Sequence, residues 1–221
     1  MTKKLFLEPH YGDIAWSCGG LLYLNKEDSI ILNIFPPRKK YDFLNLKRRR
    51  NYRRAKKREK AFVELFGVKI IYWKYKSAFL RGRTDKNFFD RNLTELEENM
   101  VVEIRQEIEK LILEEKITEV YCPYAQRNQV DHIIVRKAVK GFTITNAKIF
   151  YYEDFPNFHP QSEKIKDPSM IPSRVDISAS IEEKIKAILI YEHLVKAFFK
   201  DTETLIDLVW KKPFETYWYE K

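Results

Sequence analysis

The chain has 221 residues, 44% hydrophobic and 33% charged, which suits one compact domain with a sizeable core better than two small ones. Lysine and arginine outnumber aspartate and glutamate 41 to 32, a formal net charge of +9, so phosphate, anionic sugar, nucleic acid and membrane-surface partners all rise above their usual prior. No apolar run approaches the roughly 18 residues of a spanning helix, and two cysteines without CxxC spacing exclude a disulfide framework.

The first residues lead straight into a short strand with no signal-peptide core, so a soluble protein is expected, and the two cysteines suit a reducing cytoplasm. Abundant charge and scarce glutamine give a thermophile-like composition.

Residues 5–7 read as the first strand, and a helical pattern over 13–25 follows it. Strands are then predicted at 29–35, 68–73, 119–122 and 148–152, separated by helical patterns at 46–66, 87–116 and 130–140. This alternation predicts right-handed crossovers, hence a Rossmann-like three-layer α/β/α sandwich with a mostly parallel sheet. Ligands of such sheets collect at the carboxyl ends of the strands. Residues 153–173, rich in Pro, Asn, Asp and Ser, are expected to form a long loop over the site. A closing helix over 179–200 and an aromatic tail complete the expectation of a single domain, 1–221.

His10 and Asp13 lie just beyond the first strand, where an imidazole and a carboxylate could share one divalent ion. Asp is equally a common helix N-cap, and a lone histidine is more often packed than ligating. The second half of the pattern is Asp131-His132, which opens the helix after the fourth strand and puts His132 on the same rim as His10. Two histidines and an aspartate that leave a position for water have the layout of a catalytic zinc.

At these residues the chain resembles the zinc-dependent PIG-L/LmbE-like de-N-acetylases. Their Pro-His-x-Asp-Asp motif corresponds to Pro9-His10-Tyr11-Gly12-Asp13, followed by the small residues Ser17-Cys18-Gly19-Gly20. Their His-x-Asp-His corresponds to Gln129-Val130-Asp131-His132, and a Tyr-Glu-Asp-x-Pro segment to Tyr152-Glu153-Asp154-Phe155-Pro156. The helix ending at Gly67-Val68 and the stretch 183–191 extend the likeness over most of the chain.

The resemblance implies that His10, Asp13 and His132 hold zinc or another divalent metal, and that the substrate is an N-acetylated amino sugar or related amide. It also exposes two departures. The family's general base falls on Gly12, which has no side chain to move a proton. Gln129 replaces a histidine; it can donate a hydrogen bond to an oxyanion but cannot deliver a proton at neutral pH. Asp131 and Gln129 are therefore the catalytic candidates, with Glu8, Glu153 and Asp154 as further replacements for the base. The family's Arg-x-x-Glu falls on Ala55 and Arg58, with Arg54 and Glu59 one residue to either side. Arg54, Arg58 and Arg127 are the candidates for binding substrate.

Residues 38–60 carry thirteen Lys or Arg against two acidic residues. This stretch could hold an anionic substrate, bind nucleic acid or lie on an anionic membrane; a solvated helix face explains it equally well. With one aromatic, Tyr52, in its densest part, it lacks a base-stacking platform, so nucleic acid is the lesser reading. His159 or His193 could supply the missing acid, although such residues are more often surface or capping groups. Trp73, Tyr75, Phe79, Phe88 and Phe89 could line a cleft but by default anchor core and loops. The expectation is a zinc-dependent deacetylase; the alternatives are an impaired relative that binds a ligand or partner, and a nucleic-acid binder.

Overall fold

Apolar residues of the central strands alternate between two sides, and both sides are covered. On β1 (Lys4–Glu8), β2 (Ser29–Asn33) and β4 (Glu119–Pro123) almost every residue is buried, the signature of parallel strands lying between helices. Leu5, Leu7, Ile30, Leu32 and Val120 face α3 (Glu95–Glu115) and α4 (Val130–Lys140), where Ile104, Ile108 and Ile134 meet them. Phe6, Ile31 and Tyr121 point the other way, into a second core with Ile14 and Leu22 of α1 (Asp13–Leu24), Phe62 and Phe66 of α2 (Leu46–Phe66) and Ile188 of α5 (Ile181–Ile190). The period of two along each strand thus builds three layers.

This computed structural model describes residues 2–37, 46–143, 146–156 and 167–221, apart from the side chains of 46–50 and 196–197. Its single seven-stranded sheet has the order β3-β2-β1-β4-β5-β7-β6, with β3 at Lys69–Tyr72, β5 at Lys148–Tyr152, β6 at Met170–Asp176 and β7 at Phe214–Glu220. β1 to β5 pair in parallel, and β7 runs antiparallel to both β5 and β6. The architecture is the mostly parallel α/β/α sandwich expected from the alternating pattern.

The helical pattern at 87–116 begins eight residues late, at Glu95. Thr94 and Glu97 form a reciprocal capping box that fixes the start, and residues 87–94 are turn and irregular backbone instead, with a separate 3-10 turn earlier at Ala78–Arg81. Of the loop expected at 153–173, residues 157–166 lie outside the described residues, and 170–173 belong to β6.

The expected helix at 179–200 is divided into α5 and α6 (Glu192–Phe198) by Tyr191, and α7 (Thr202–Lys211) follows. The aromatic tail is β7. Its inward residue Glu215 accepts hydrogen bonds from Gly20 N at 2.9 Å, Leu21 N at 3.0 Å, Tyr217 Oη at 2.7 Å and Lys184 Nζ at 2.6 Å, tying the strand to α1 and α5. Gly20 also lets Ile177, ahead of α5, pack closely on α1, since a Cβ there would stand 2.7 Å from it.

Candidate metal centre and its surroundings

β1, β4 and β5 end side by side on one rim, and each delivers part of a polar cluster. After β1 the chain turns so that His10 N donates to Asp13 Oδ2 at 2.7 Å and Asp13 N to His10 O at 3.2 Å. This local turn brings the histidine and the first residue of α1 together. His132, third in α4, arrives from β4, and Asp154 follows β5. One ligand atom from each of His10, Asp13 and His132 lies within 4.8 Å of the others.

The two imidazoles are held alike. His10 Nε2 lies 2.7 Å from Asp131 Oδ2, so this nitrogen carries the proton and Nδ1 turns toward Asp13 Oδ2, 3.6 Å away. His132 Nδ1 lies 2.7 Å from Asp154 Oδ1, and its Nε2 turns toward the same Asp13 oxygen at 3.3 Å. Among the described residues His132 Nε2 is buried with no hydrogen-bond partner of good geometry, Asp13 facing it as an ion pair. A carboxylate behind each imidazole, with the other nitrogen turned toward a shared third ligand, is how ligating histidines are oriented. An orphaned buried nitrogen beside a carboxylate fits a divalent cation, and zinc accepts this donor set of two nitrogens and one oxygen.

Electrostatics agree with the geometry. Burial alone would push both imidazoles down, but Asp13 and Asp131 carry His10 up to about 9, and Asp13 and Asp154 carry His132 up to about 10. Asp13 would be raised by burial, yet His132 and His10 hold it far below the usual carboxylate range. Without a cation the cluster therefore holds protons in its place.

The candidates for a replacement base are mostly engaged elsewhere. Asp131 Oδ2 serves His10 and also accepts Ala78 N at 3.0 Å, while Oδ1 lies 2.8 Å from Arg81 Nη2. Asp154 Oδ2 accepts Gln126 N at 2.9 Å. Glu8 accepts Gly12 N at 3.1 Å and Asn33 Nδ2 at 2.7 Å; burial, then the charges of Glu59 and Asp13, raise its pKa well above normal. Glu153 accepts Trp218 Nε1 at 3.2 Å and lines a cavity of about 680 Å³ that touches none of His10, Asp13 or His132.

Gln129 stands at the rim with its amide nitrogen 3.2 Å from His10 Nδ1. Gly12 has φ +99°, and the ring of Tyr191 covers it. Tyr191 in turn donates to Glu59 at 3.0 Å, as does Tyr72. A smaller cavity of about 280 Å³ opens beside His10, and Ala55, Arg58, Tyr191 and His193 are among its walls.

Among the arginines suggested for substrate binding, Arg58 reaches this cavity and Arg54 is exposed on α2. Arg127 stacks on Phe198 with 4.7 Å to the ring centroid; burial lowers its pKa, and Asp154 and Asp13 oppose that. Residues 38–45 of the basic stretch, and His159, lie outside the described residues. Two participants carried no sequence signal: Arg81, in an irregular stretch, and Tyr191, in what read as continuous helix.

No protein-family model matches the chain. A 2'-N-acetylparomamine deacetylase of Streptomyces fradiae is 25% identical over 210 residues, covering 86% of this chain and 72% of that protein. The zinc-inhibited form of teicoplanin deacetylase superposes with a TM-score of 0.74 at 17% identity, over 98% of this chain and 97% of that one. A 4-carboxy-2-hydroxymuconate hydratase of Pseudomonas putida gives a TM-score of 0.59 at 15% identity, over 89% and 82%. The fold is therefore one that serves deacetylation and at least one other reaction, and the site must choose between them.

Proposed function

We propose that this chain, a divergent PIG-L/LmbE-like protein, is a zinc-dependent hydrolase that removes the acetyl group from an N-acetylated amino sugar or a related amide. The observation that carries the reading is the pair of imidazoles, each with one nitrogen on a carboxylate and the other turned to Asp13. His10 Nδ1, Asp13 and His132 Nε2 would hold the ion. Bound there, zinc supplies the Lewis acidity that makes water a nucleophile near neutral pH.

The remaining roles fall to the protein's own groups. Asp131 and Asp154 are positioning residues, since each fixes one ring and spends its second oxygen on Arg81 or a backbone amide. Gln129, whose amide nitrogen lies beside His10 Nδ1, would donate a hydrogen bond to the amide oxygen as charge develops on it. With Gly12 at the base position, no side chain there accepts a proton, a loss worth about 10²-fold to 10⁴-fold in rate. A slow enzyme is the expected outcome.

The test is acetate release from a panel of N-acetylated amino sugars by zinc-loaded protein, compared with chelated protein and a His132→Ala variant. Release that depends on zinc and disappears in the variant supports the reading. Stoichiometric zinc with no release from any substrate overturns it and leaves a binding protein on this fold.

A further inference from the structure

Tyr191 and His193 both line the cavity beside His10, although they stand two positions apart in the chain. On a continuous helix such residues point about 200° apart and do not share a wall. The break between α5 and α6 brings them round. Tyr191 leaves the helical conformation at φ −102° and ψ 36°, and α6 restarts at Glu192 with His193 as its second residue.

Two imidazoles therefore meet one cavity, His10 from beyond β1 and His193 from the start of α6. Its volume, about 280 Å³, lies just under the roughly 300–1,000 Å³ usual for ligand pockets, so a group held in it meets both walls. His193 is also exposed, which lets it exchange a proton with solvent between turnovers. Burial and then the Arg58 guanidinium of α2 lower its pKa, while the backbone of Tyr191 and the charge of Glu192 oppose them. Tyr11 and His10 are the other titratable neighbours on this wall besides Tyr191. A solvent-connected imidazole that is neutral near pH 7 can take a proton and give it back.

We propose that His193 is the catalytic residue that moves the proton in this cavity, in place of the carboxylate that Gly12 lacks and the imidazole that Gln129 replaces. This inference rests on the deacetylase reading of the site. The oxygen of water bonds to the amide carbon as one of its protons passes to the His193 imidazole. The carbon–nitrogen bond then breaks and that proton passes to the departing nitrogen, giving a free amine and acetic acid. The break that lays the Tyr191 ring over Gly12 thus turns a substitute toward the cavity two residues later, and His193 recovers part of the rate that Gly12 forfeits.

The test follows acetate release with pH for the zinc-loaded parent, His193→Gln and His193→Ala. In the parent, kcat should fall on the acid side with an apparent pKa below about 6.5. His193→Gln should lower kcat by about 10²-fold, keep KM within about threefold and lose that acidic limb. Added imidazole should restore about tenfold or more of the rate in His193→Ala, which a merely structural role would not allow. Two readouts stand apart from turnover. Zinc affinity and the denaturant midpoint should be the same in parent and His193→Gln, and NMR of the zinc-loaded pair should assign to His193 an imidazole that titrates below about 6.5.

A His193→Gln variant that keeps both kcat and the acidic limb overturns the inference and leaves the deacetylase reading standing. A rate loss that merely follows weakened zinc binding, or a His193 imidazole that titrates above about 7.5, does the same. Stoichiometric zinc with no acetate from any N-acetylated sugar overturns both.

Discussion

Tyr191 lies flat against Gly12: a Cβ on residue 12 would stand 3.1 Å from the Cγ and Cδ1 atoms of the ring. The helix breaks at Tyr191, and its hydroxyl is anchored on Glu59. The base position is therefore both empty and walled off. Gly12→Asp should destabilise the protein by about 1–3 kcal/mol, through the positive φ and the displaced ring, and should not raise the rate. Denaturant unfolding and acetate release check this; a stable, faster variant would show that the ring yields easily.

Arg81 bridges two buried carboxylates, 3.1 Å from Glu97 and 2.8 Å from Asp131, and Asp131 holds His10. Changing Arg81 to Met removes one cation from both, while Glu97 keeps Arg83 and Asp131 keeps His10, and should cost about 1–3 kcal/mol. Asp131→Asn is the milder probe. It should weaken zinc by about 10-fold to 100-fold, measured by competition with a chelating dye, and unchanged affinity would remove Asp131 from the positioning role.

In the metal-free chain His10 and His132 titrate at about 9 and about 10, so at neutral pH zinc must displace their protons. Zinc affinity should rise steeply with pH up to that range, with one to two protons released per ion in calorimetry repeated across buffers of different ionisation enthalpy. Stability of the metal-free form follows the opposite sign. Both folded pKa values exceed the unfolded value near 6.5, so their contribution is complete below about pH 6.5 and is lost as pH climbs through about 9 to 10. A flat pH profile of zinc affinity would contradict the protonated cluster.

Glu215→Ala separates stability from the site. It leaves Lys184 buried without its partner and frees two backbone amides of α1, so a loss of about 3–5 kcal/mol is expected. Since none of these groups touches His10, Asp13 or His132, zinc affinity of the folded fraction should stay within about threefold of the parent.

Composition and local pattern were enough to set out the parallel half of this protein. Strands buried on both faces, such as β1 and β2, read as short apolar runs, and chain order with right-handed crossovers then puts His10 and His132 on one rim, because parallel strands share a carboxyl end. His10, Asp13 and His132 were legible for that reason. The antiparallel edge was not: β6 contains Pro172 and Ser173, β7 looks like an aromatic tail, and their strand character comes from pairing with each other and with β5. Nor could sequence reveal that Arg81 stands behind Asp131, or that Tyr191 leaves its helix to cover Gly12. Those contacts join residues from 50 to 179 positions apart, and only tertiary packing decides which buried charge meets which partner and which ring fills the space a glycine leaves.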